Sequence, residues 1–578
     1  MNAVTESSLL NTRTYGSLSY SKEKEAWIID KIEPHVSLRL KALFPRISQT
    51  QVGRFTFKAQ PDTCADLFWF TQRYPMLMTV SDEGLLQKQS SAFHQEVAER
   101  HRITMPEYLP PQYGELKPDC ELRNYQMQFV ELFRRTRSLL LGDDTGLGKT
   151  YEAIGAFLLP GALPVATVVQ TNAADQWEEK IQEFSYLRTH IIKGTKPYNL
   201  PEADVYIFRY SQLAGWVEVF ATDFFKMCCF DEIQELRHGA DTSKGRGAKI
   251  LATHTEMQLA MSATPIFNFG IEIFNIVENY IRPGALGNRA EFIREWCADD
   301  DKIVEDPKAL GTYLTENHIL LRRLKKHPPV NRVIIEVPYD KKEVNKIENL
   351  ARDLALKTLN GSFHESGQAA REFDIWMRQV TGVSKAKAVA AYARIYAEQG
   401  IPIILAGWHR EVYEIWLEEL KDLNPLMYTG SESIAQKRKM KAAFIAGQSK
   451  IFILSLRSGA GIDGLQKVCS TVLFGEIDWS PQVHEQVIGR VDRDGSFLGN
   501  LEEMEENPVQ AVFLLTQYGS DPVITDLLGL KDSQACGIMN PNQGPVKKNH
   551  DTARIKEMAK RYLESLNKPE KHEPILQQ

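Results

Sequence analysis

The residues in this sequence best placed to do chemistry lie between Ser138 and Thr150, SLLLGDDTGLGKT: a short apolar run, a Gly-rich turn, then Lys-Thr. Glycine lets a backbone approach a polyphosphate closely. The N–H groups of the turn and of the following helix direct positive dipole at the anion, Lys149 adds a full charge, and the Thr150 hydroxyl can ligate Mg²⁺. Asp143, Asp144, Thr145, Gly146, Leu147 and Gly148 form the rest of this candidate phosphate cradle. The strict pattern asks for Gly where Asp143 stands, so the loop alone also fits an ordinary Gly-rich turn before a helix.

Three other stretches carry compatible chemistry. The apolar run KMCCF ends in Asp231-Glu232-Ile233-Gln234. Asp231 suits Mg²⁺, directly or through water, and Glu232 suits the orientation and deprotonation of an attacking water. Before the loop, LRNYQ places Arg123, Tyr125 and Gln126: the Gln126 amide has the paired donor and acceptor for an adenine edge, and Tyr125 offers a face for stacking. Far downstream, VHEQVIGRVDRDG puts Arg490 and Arg493 on one helical face with Gln486 a turn earlier. Planar bidentate cations so placed can close on a γ-phosphate. Each stretch in isolation is also ordinary surface. MQLAMS then leads into Ser262-Ala263-Thr264-Pro265, whose hydroxyls suit the relay of nucleotide state to a neighbouring domain.

Short apolar strands alternating with helical stretches must position these groups, and that alternation predicts parallel, doubly wound sheets with function at the strands' carboxyl ends. It occurs twice. The first α/β lobe is read over 118–335, with a helical insertion at about 267–325, and a helical linker over 336–384. The second lobe, over 385–532, has no phosphate loop of its own. Residues 1–117 read as a small accessory α+β domain, with a helix over Pro61 to Arg73, and act as a structural cap or a substrate-handling module. The tail, 533–578, holds one amphipathic helix, Ala553 to Leu566. Arg322, Arg323, Lys325 and Lys326 form a basic cluster read either as a grip on a phosphate backbone or as a solvated helix face.

Composition bounds the rest. At 578 residues, 43% hydrophobic and 25% charged, the chain can bury several cores. A net charge of −6 argues against a protein that coats nucleic acid everywhere but allows a local basic groove. The seven cysteines form no CxxC pair, which speaks against structural zinc. No apolar run approaches membrane-spanning length and the N-terminus lacks a signal-peptide layout, so a cytoplasmic protein is expected, associated with the nucleoid if bacterial or viral.

Taken in order, DDTGLGKT, DEIQ, SATP, LLRRLKK, SLRSGAGID and QVIGRVDR resemble the motif series of superfamily-two helicase-like ATPases, in particular the Swi/Snf-like branch. VSKAKAVAAYARIYAEQGIPIILAGWHREV is similar to the entry of the second lobe in annealing-helicase (HARP-like) relatives. The resemblance spans roughly Glu115 to Tyr518. It departs at Asp144-Thr145, where Glu-Met is usual, at DEIQ, and at Gly459 to Asp463, one residue short. It implies two RecA-like lobes, ATP and Mg²⁺ as cofactors, and ATP-driven translocation along double-stranded DNA without sequence readout. Alternatives are a strand-separating DNA or RNA helicase and an interaction protein switched by ATP. The motifs assign Lys149, Asp231, Glu232, Arg490 and Arg493 to catalysis, and Asp463 to the nucleotide ribose or to Arg493. Thr171, Asn172, the Thr429-Gly430 turn, Arg457 and Ser458 become candidate DNA contacts. A protein partner is expected at the N-terminal domain or the tail, and no membrane.

Overall fold

A computed structural model describes residues 13–524 and residue 560, apart from 267–269, 298–301, 326–327, 329, 346–347, 361–362, 457–461, 494–495, 499–503, 506 and 523. Three strands, β1 (Ser17–Ser21), β2 (Ala26–Asp30) and β3 (Phe55–Lys58), form an antiparallel sheet at the N-terminus. It packs with helices Pro34–Leu43 and Pro61–Arg73 around Trp27, which is fully buried. Helix Val80–Thr104 then carries the chain onto the first lobe, where Arg135 pairs with Glu99 at 3.1 Å. Arg46 adds a second brace, pairing with Glu295 at 2.6 Å and donating to the Ala285 carbonyl at 2.9 Å.

The first lobe contains β4 (Ser138–Leu141), β5 (Val165–Val169), β6 (Thr189–Ile191), β7 (Val205–Arg209), β8 (Met227–Asp231), β9 (Met257–Met261) and β10 (Leu320–Leu321). All seven pair in parallel in the order β10-β4-β9-β8-β5-β7-β6. The inner strands SLLL, VATVV and MCCF are buried on both faces, as a parallel sheet covered by helices requires, and two hydrophobic cores lie on its two sides. β4 and β8 end on the same rim, separated by β9, so the Gly-rich turn and the Asp231-Glu232 pair emerge close together.

The second lobe contains β11 (Asn331–Glu336), β12 (Ile403–Gly407), β13 (Leu426–Tyr428), β14 (Ile451–Ser455), β15 (Thr471–Phe474) and β16 (Gln510–Leu515). Their order is β11-β16-β15-β12-β14-β13, again all parallel. This is the expected pair of RecA-like sheets, with two differences at the junction. β11, most of which falls within the bounds expected for the first lobe (118–335), pairs residue for residue with β16 and is an edge of the second sheet. Its partner is about 180 residues away in sequence, so no local pattern reveals the pairing. Within LLRRLKK, Leu320 to Lys325 form no helix: the two-residue β10 is followed by a strap without regular structure, in which Arg322 and Arg323 are drawn to acids of the Gly-rich loop. Among the described residues no helix is long and apolar enough to cross a membrane. The helix expected at Ala553 to Leu566 lies outside the described residues.

Candidate active site

The Gly-rich turn leaves β4 with Gly146 and Gly148 at φ +95° and +83°, conformations that side-chain-bearing residues rarely adopt. A Cβ on Gly148 would also stand 2.8 Å from Gln126 Nε2. Helix Lys149–Phe157 begins at the turn's end, so its first N–H groups face the cradle. Lys149 Nζ donates to the carbonyls of Asp143 (2.5 Å) and Asp144 (3.1 Å). Burial lowers its pKa, opposed by the charges of Glu232 and Asp143. Gln126 holds the loop through Nε2, which donates to the Leu147 carbonyl at 3.1 Å, and accepts from the Arg123 N–H at 2.9 Å. The amide retains one N–H and one lone pair for a base.

Two residues expected to touch the ligand are engaged elsewhere. Asp143 is fully buried and takes no part in lining the cleft: its carboxylate accepts from Arg323 Nε (2.8 Å) and the Arg323 N–H (3.0 Å). That pair explains an acid where the strict pattern has Gly. The same guanidinium bonds Glu152 and the Tyr125 carbonyl and lies 4.8 Å over the Tyr125 ring. Tyr125, half-buried, is therefore part of this knot, its hydroxyl donating to the Leu147 carbonyl at 2.7 Å, and does not line the cleft. Arg323 and Arg322 are both engaged within the first lobe and not on a solvated helix face; Arg322 donates to Asp144 Oδ1 at 2.9 Å and to the Ala263 carbonyl at 3.1 Å. Asp143 and Glu152 share one guanidinium, and burial pushes both pKa values up, Glu152 to about 8. Arg323→Ala strands these two carboxylates in the core. Breaking such a buried pair costs about 3–5 kcal/mol, so the urea midpoint of unfolding, followed by circular dichroism, is expected to fall markedly.

At the end of β8, Asp231 Oδ2 accepts from the Trp177 indole N–H at 2.8 Å, and the Asp231 carbonyl accepts from the Tyr210 hydroxyl at 2.7 Å. Burial, then the charge of Glu232, pushes Asp231 up to about 6. Glu232 sits at φ +56°, left-handed for a residue with a side chain, and its Oε2 accepts from Gln234 Nε2 at 2.5 Å. Such strain, of order 1–3 kcal/mol, persists where surrounding structure imposes it. Asp231 and Thr150 supply hard oxygen donors to one cleft, a donor set that suits Mg²⁺.

The second lobe closes the cleft. Helix Pro481–Ile488 stops two residues short of Arg490, so Arg490 and Arg493 stand in the turn beyond it and not on one helical face as the spacing predicts; Arg490 is 5% exposed and donates to the Ile462 carbonyl at 3.3 Å, while its Nε has no hydrogen-bond partner. Burial and then Arg493 lower its pKa to about 10. Arg493 donates to Asp463 Oδ1 at 3.1 Å, as the expectation for Asp463 allowed. Gly489 approaches the first lobe so closely that a Cβ would lie 2.8 Å from Thr145 Oγ1. Gln486 Nε2 reaches Thr264 Oγ1 at 3.5 Å.

A cavity of about 1160 Å³ results between the lobes. It brings together Arg123, Gln126, the loop from Asp144 to Thr150, Asp231, Glu232, Asp463, Gln486, Arg490 and Arg493. Sequence reading missed Trp177 and Lys180, which line the same cavity from helix Ala174–Phe184. Their one signal was the i, i+3 spacing in NAADQWEEKI, which ordinary amphipathic packing produces as well.

The candidate DNA contacts fare unequally. Thr171 and Asn172 are exposed after β5, and Gly430 is exposed after β13. Asp175, just beyond Asn172, pairs across the lobes with Arg438 of helix Ile434–Ile445 at 2.8 Å. Thr429 is turned inward, 3% exposed, with its hydroxyl held by Glu432 at 3.0 Å, and shapes the turn instead of offering a free hydroxyl. Arg457 and Ser458 lie outside the described residues.

Residues 66–379 match the family described as the SNF2-related domain. An uncharacterized ATP-dependent helicase of Bacillus subtilis is 22% identical over 400 residues, 62% of this chain and 70% of that protein. The SWI/SNF-related matrix-associated actin-dependent regulator of chromatin subfamily A-like protein 1 of Drosophila melanogaster is 23% identical over 413 residues. That match covers 68% of this chain, which spans only about half, 52%, of the fly protein. The solved SWI2/SNF2 ATPase core of Sulfolobus solfataricus in complex with double-stranded DNA aligns with 75% of this chain and 96% of its own, at 18% identity and a TM-score of 0.36.

Proposed function

Because the chain belongs to the SNF2-related domain family, we propose that it hydrolyses ATP between its two lobes and uses the cycle to move along double-stranded DNA. The observation that carries this reading is the single cleft in which the Lys149 loop, the Asp231-Glu232 pair and the Arg490-Arg493 pair meet. Loop N–H groups and Lys149 hold the phosphates, Gln126 and Arg123 face the base, and Glu232 takes the proton of the attacking water. Thr150 and Asp231 would hold Mg²⁺, which when bound neutralises charge on the phosphate oxygens. Arg490 and Arg493 come from the other lobe, so turnover depends on closure, and repeated closure shifts two backbone-gripping surfaces relative to each other. Phosphate contacts near Asn172 and Gly430 position the lobes without reading bases.

Steady-state ATPase titrations with duplex DNA, single-stranded DNA and RNA test this directly. Marked stimulation by the duplex is expected; a preference for single strands favours a strand-separating helicase, and indifference to all three contradicts a motor. The pH profile is a second check. Protonating Asp231 removes the charge that would hold the cation. With Asp231 raised to about 6, kcat/KM is expected to be full above that pH and to fall as pH drops through it, well above the range of an unperturbed carboxylate.

A further inference from the structure

The strap from Arg322 to Lys325 leaves β10 at the edge of the first sheet and precedes β11 of the second sheet in sequence, so it lies in the covalent joint between the lobes. It is stitched to the phosphate loop on the way. Arg322 pairs with Asp144 at 2.9 Å, the Asp144 N–H donates to the Arg323 carbonyl at 3.0 Å, and the Lys325 N–H donates to Asp144 Oδ2 at 3.2 Å. Asp144 is one of the residues by which this loop departs from the common form of the family, and all these contacts use it. From that anchored backbone Lys325 reaches across the cleft. Its Nζ donates to the Asp492 carbonyl at 2.8 Å and to the Asp492 carboxylate. The two side chains are 15% and 9% exposed, in contrast with the Arg438–Asp175 bridge, which is 62% and 48% exposed and correspondingly weak.

Asp492 lies two residues after Arg490 and immediately before Arg493. We propose that Lys325 is a positioning residue: by gripping both the backbone and the carboxylate of Asp492, it fixes where the two arginines stand relative to the phosphate loop to which the strap is tied. The strap thereby links nucleotide contact in the first lobe to placement of cations from the second. This rests on the reading of Arg490 and Arg493 as groups that act on the γ-phosphate. Lys325 Nζ bonds Asp492, and its effect on the arginines runs through that residue.

The test compares Lys325→Gln, Lys325→Arg, Asp492→Asn and the double Lys325→Gln/Asp492→Asn proteins by steady-state ATPase, with and without duplex DNA. Misplaced arginines weaken the transition state more than the ground state, so Lys325→Gln and Asp492→Asn should each lower kcat about tenfold while the KM for ATP changes less than about twofold. Lys325→Arg should restore most of kcat, and the double variant should be no slower than either single one. Thermal melting separates this from misfolding: the singles should melt as cooperatively as the parent. Unchanged kcat in Lys325→Gln, or independent, multiplying losses in the double variant, would overturn the proposal. Parent turnover that ignores DNA would instead count against the motor reading, and the comparison of basal rates would still decide the role of Lys325.

Discussion

Arg490→Ala is expected to reduce ATP turnover by about 10³-fold or more at saturating ATP and duplex DNA, with nucleotide affinity little changed. Arginines supplied to a γ-phosphate from a separate element contribute about 10³ to 10⁵ in rate. Arg490 has the features such a role demands: it is 5% exposed, its charge is disfavoured by burial and by Arg493, and Nε lacks a partner. A buried donor left unsatisfied is costly unless something else uses it, and here a phosphate in the cleft would. Arg493→Ala is expected to have the smaller effect, since that guanidinium is already paired with Asp463 and its side chain is 19% exposed. Retained binding of a fluorescent ATP analogue by the Arg490→Ala protein checks that the Lys149 loop remains intact.

The second large effect belongs to Glu232. Glu232→Gln keeps the shape, the left-handed backbone and a hydrogen bond to Gln234, yet removes the base. Loss of a general base costs about 10² to 10⁴ in rate, so multiple-turnover ATPase should nearly vanish while ATP stays bound through chase with unlabelled nucleotide. The unfolding midpoint should match the parent. Fast release of intact ATP would instead place the catalytic base elsewhere.

Much of this was legible in the sequence, for identifiable reasons. Strands such as VATVV and MCCF are continuous apolar runs ending in turn or acidic residues, so both sheets and their functional rims could be read directly. Lys149, Asp231, Glu232, Arg490 and Arg493 could be picked out within short stretches and do line one cleft, although the two arginines reach it from the turn after their helix and not from its face. What escaped depends on pairs distant in sequence. Asp143 was expected at the phosphates and is instead the partner of Arg323, 180 residues later, and the Tyr125 ring is engaged by the same guanidinium. LLRRLKK has helical composition, but its arginines gain more by neutralising buried acids than by continuing a helix. β11 looks like an isolated strand until β16 appears beside it.

For this motor to work, one triphosphate must be held from both lobes. Photocrosslinking of the Glu232→Gln protein with an ATP analogue reactive at the γ-phosphate, followed by peptide mapping, tests this most directly. Adducts are predicted in two regions, the loop and helix at 142–157 and the segment at 481–493. Labelling confined to the first lobe, with none near Arg490 or Arg493, would contradict it.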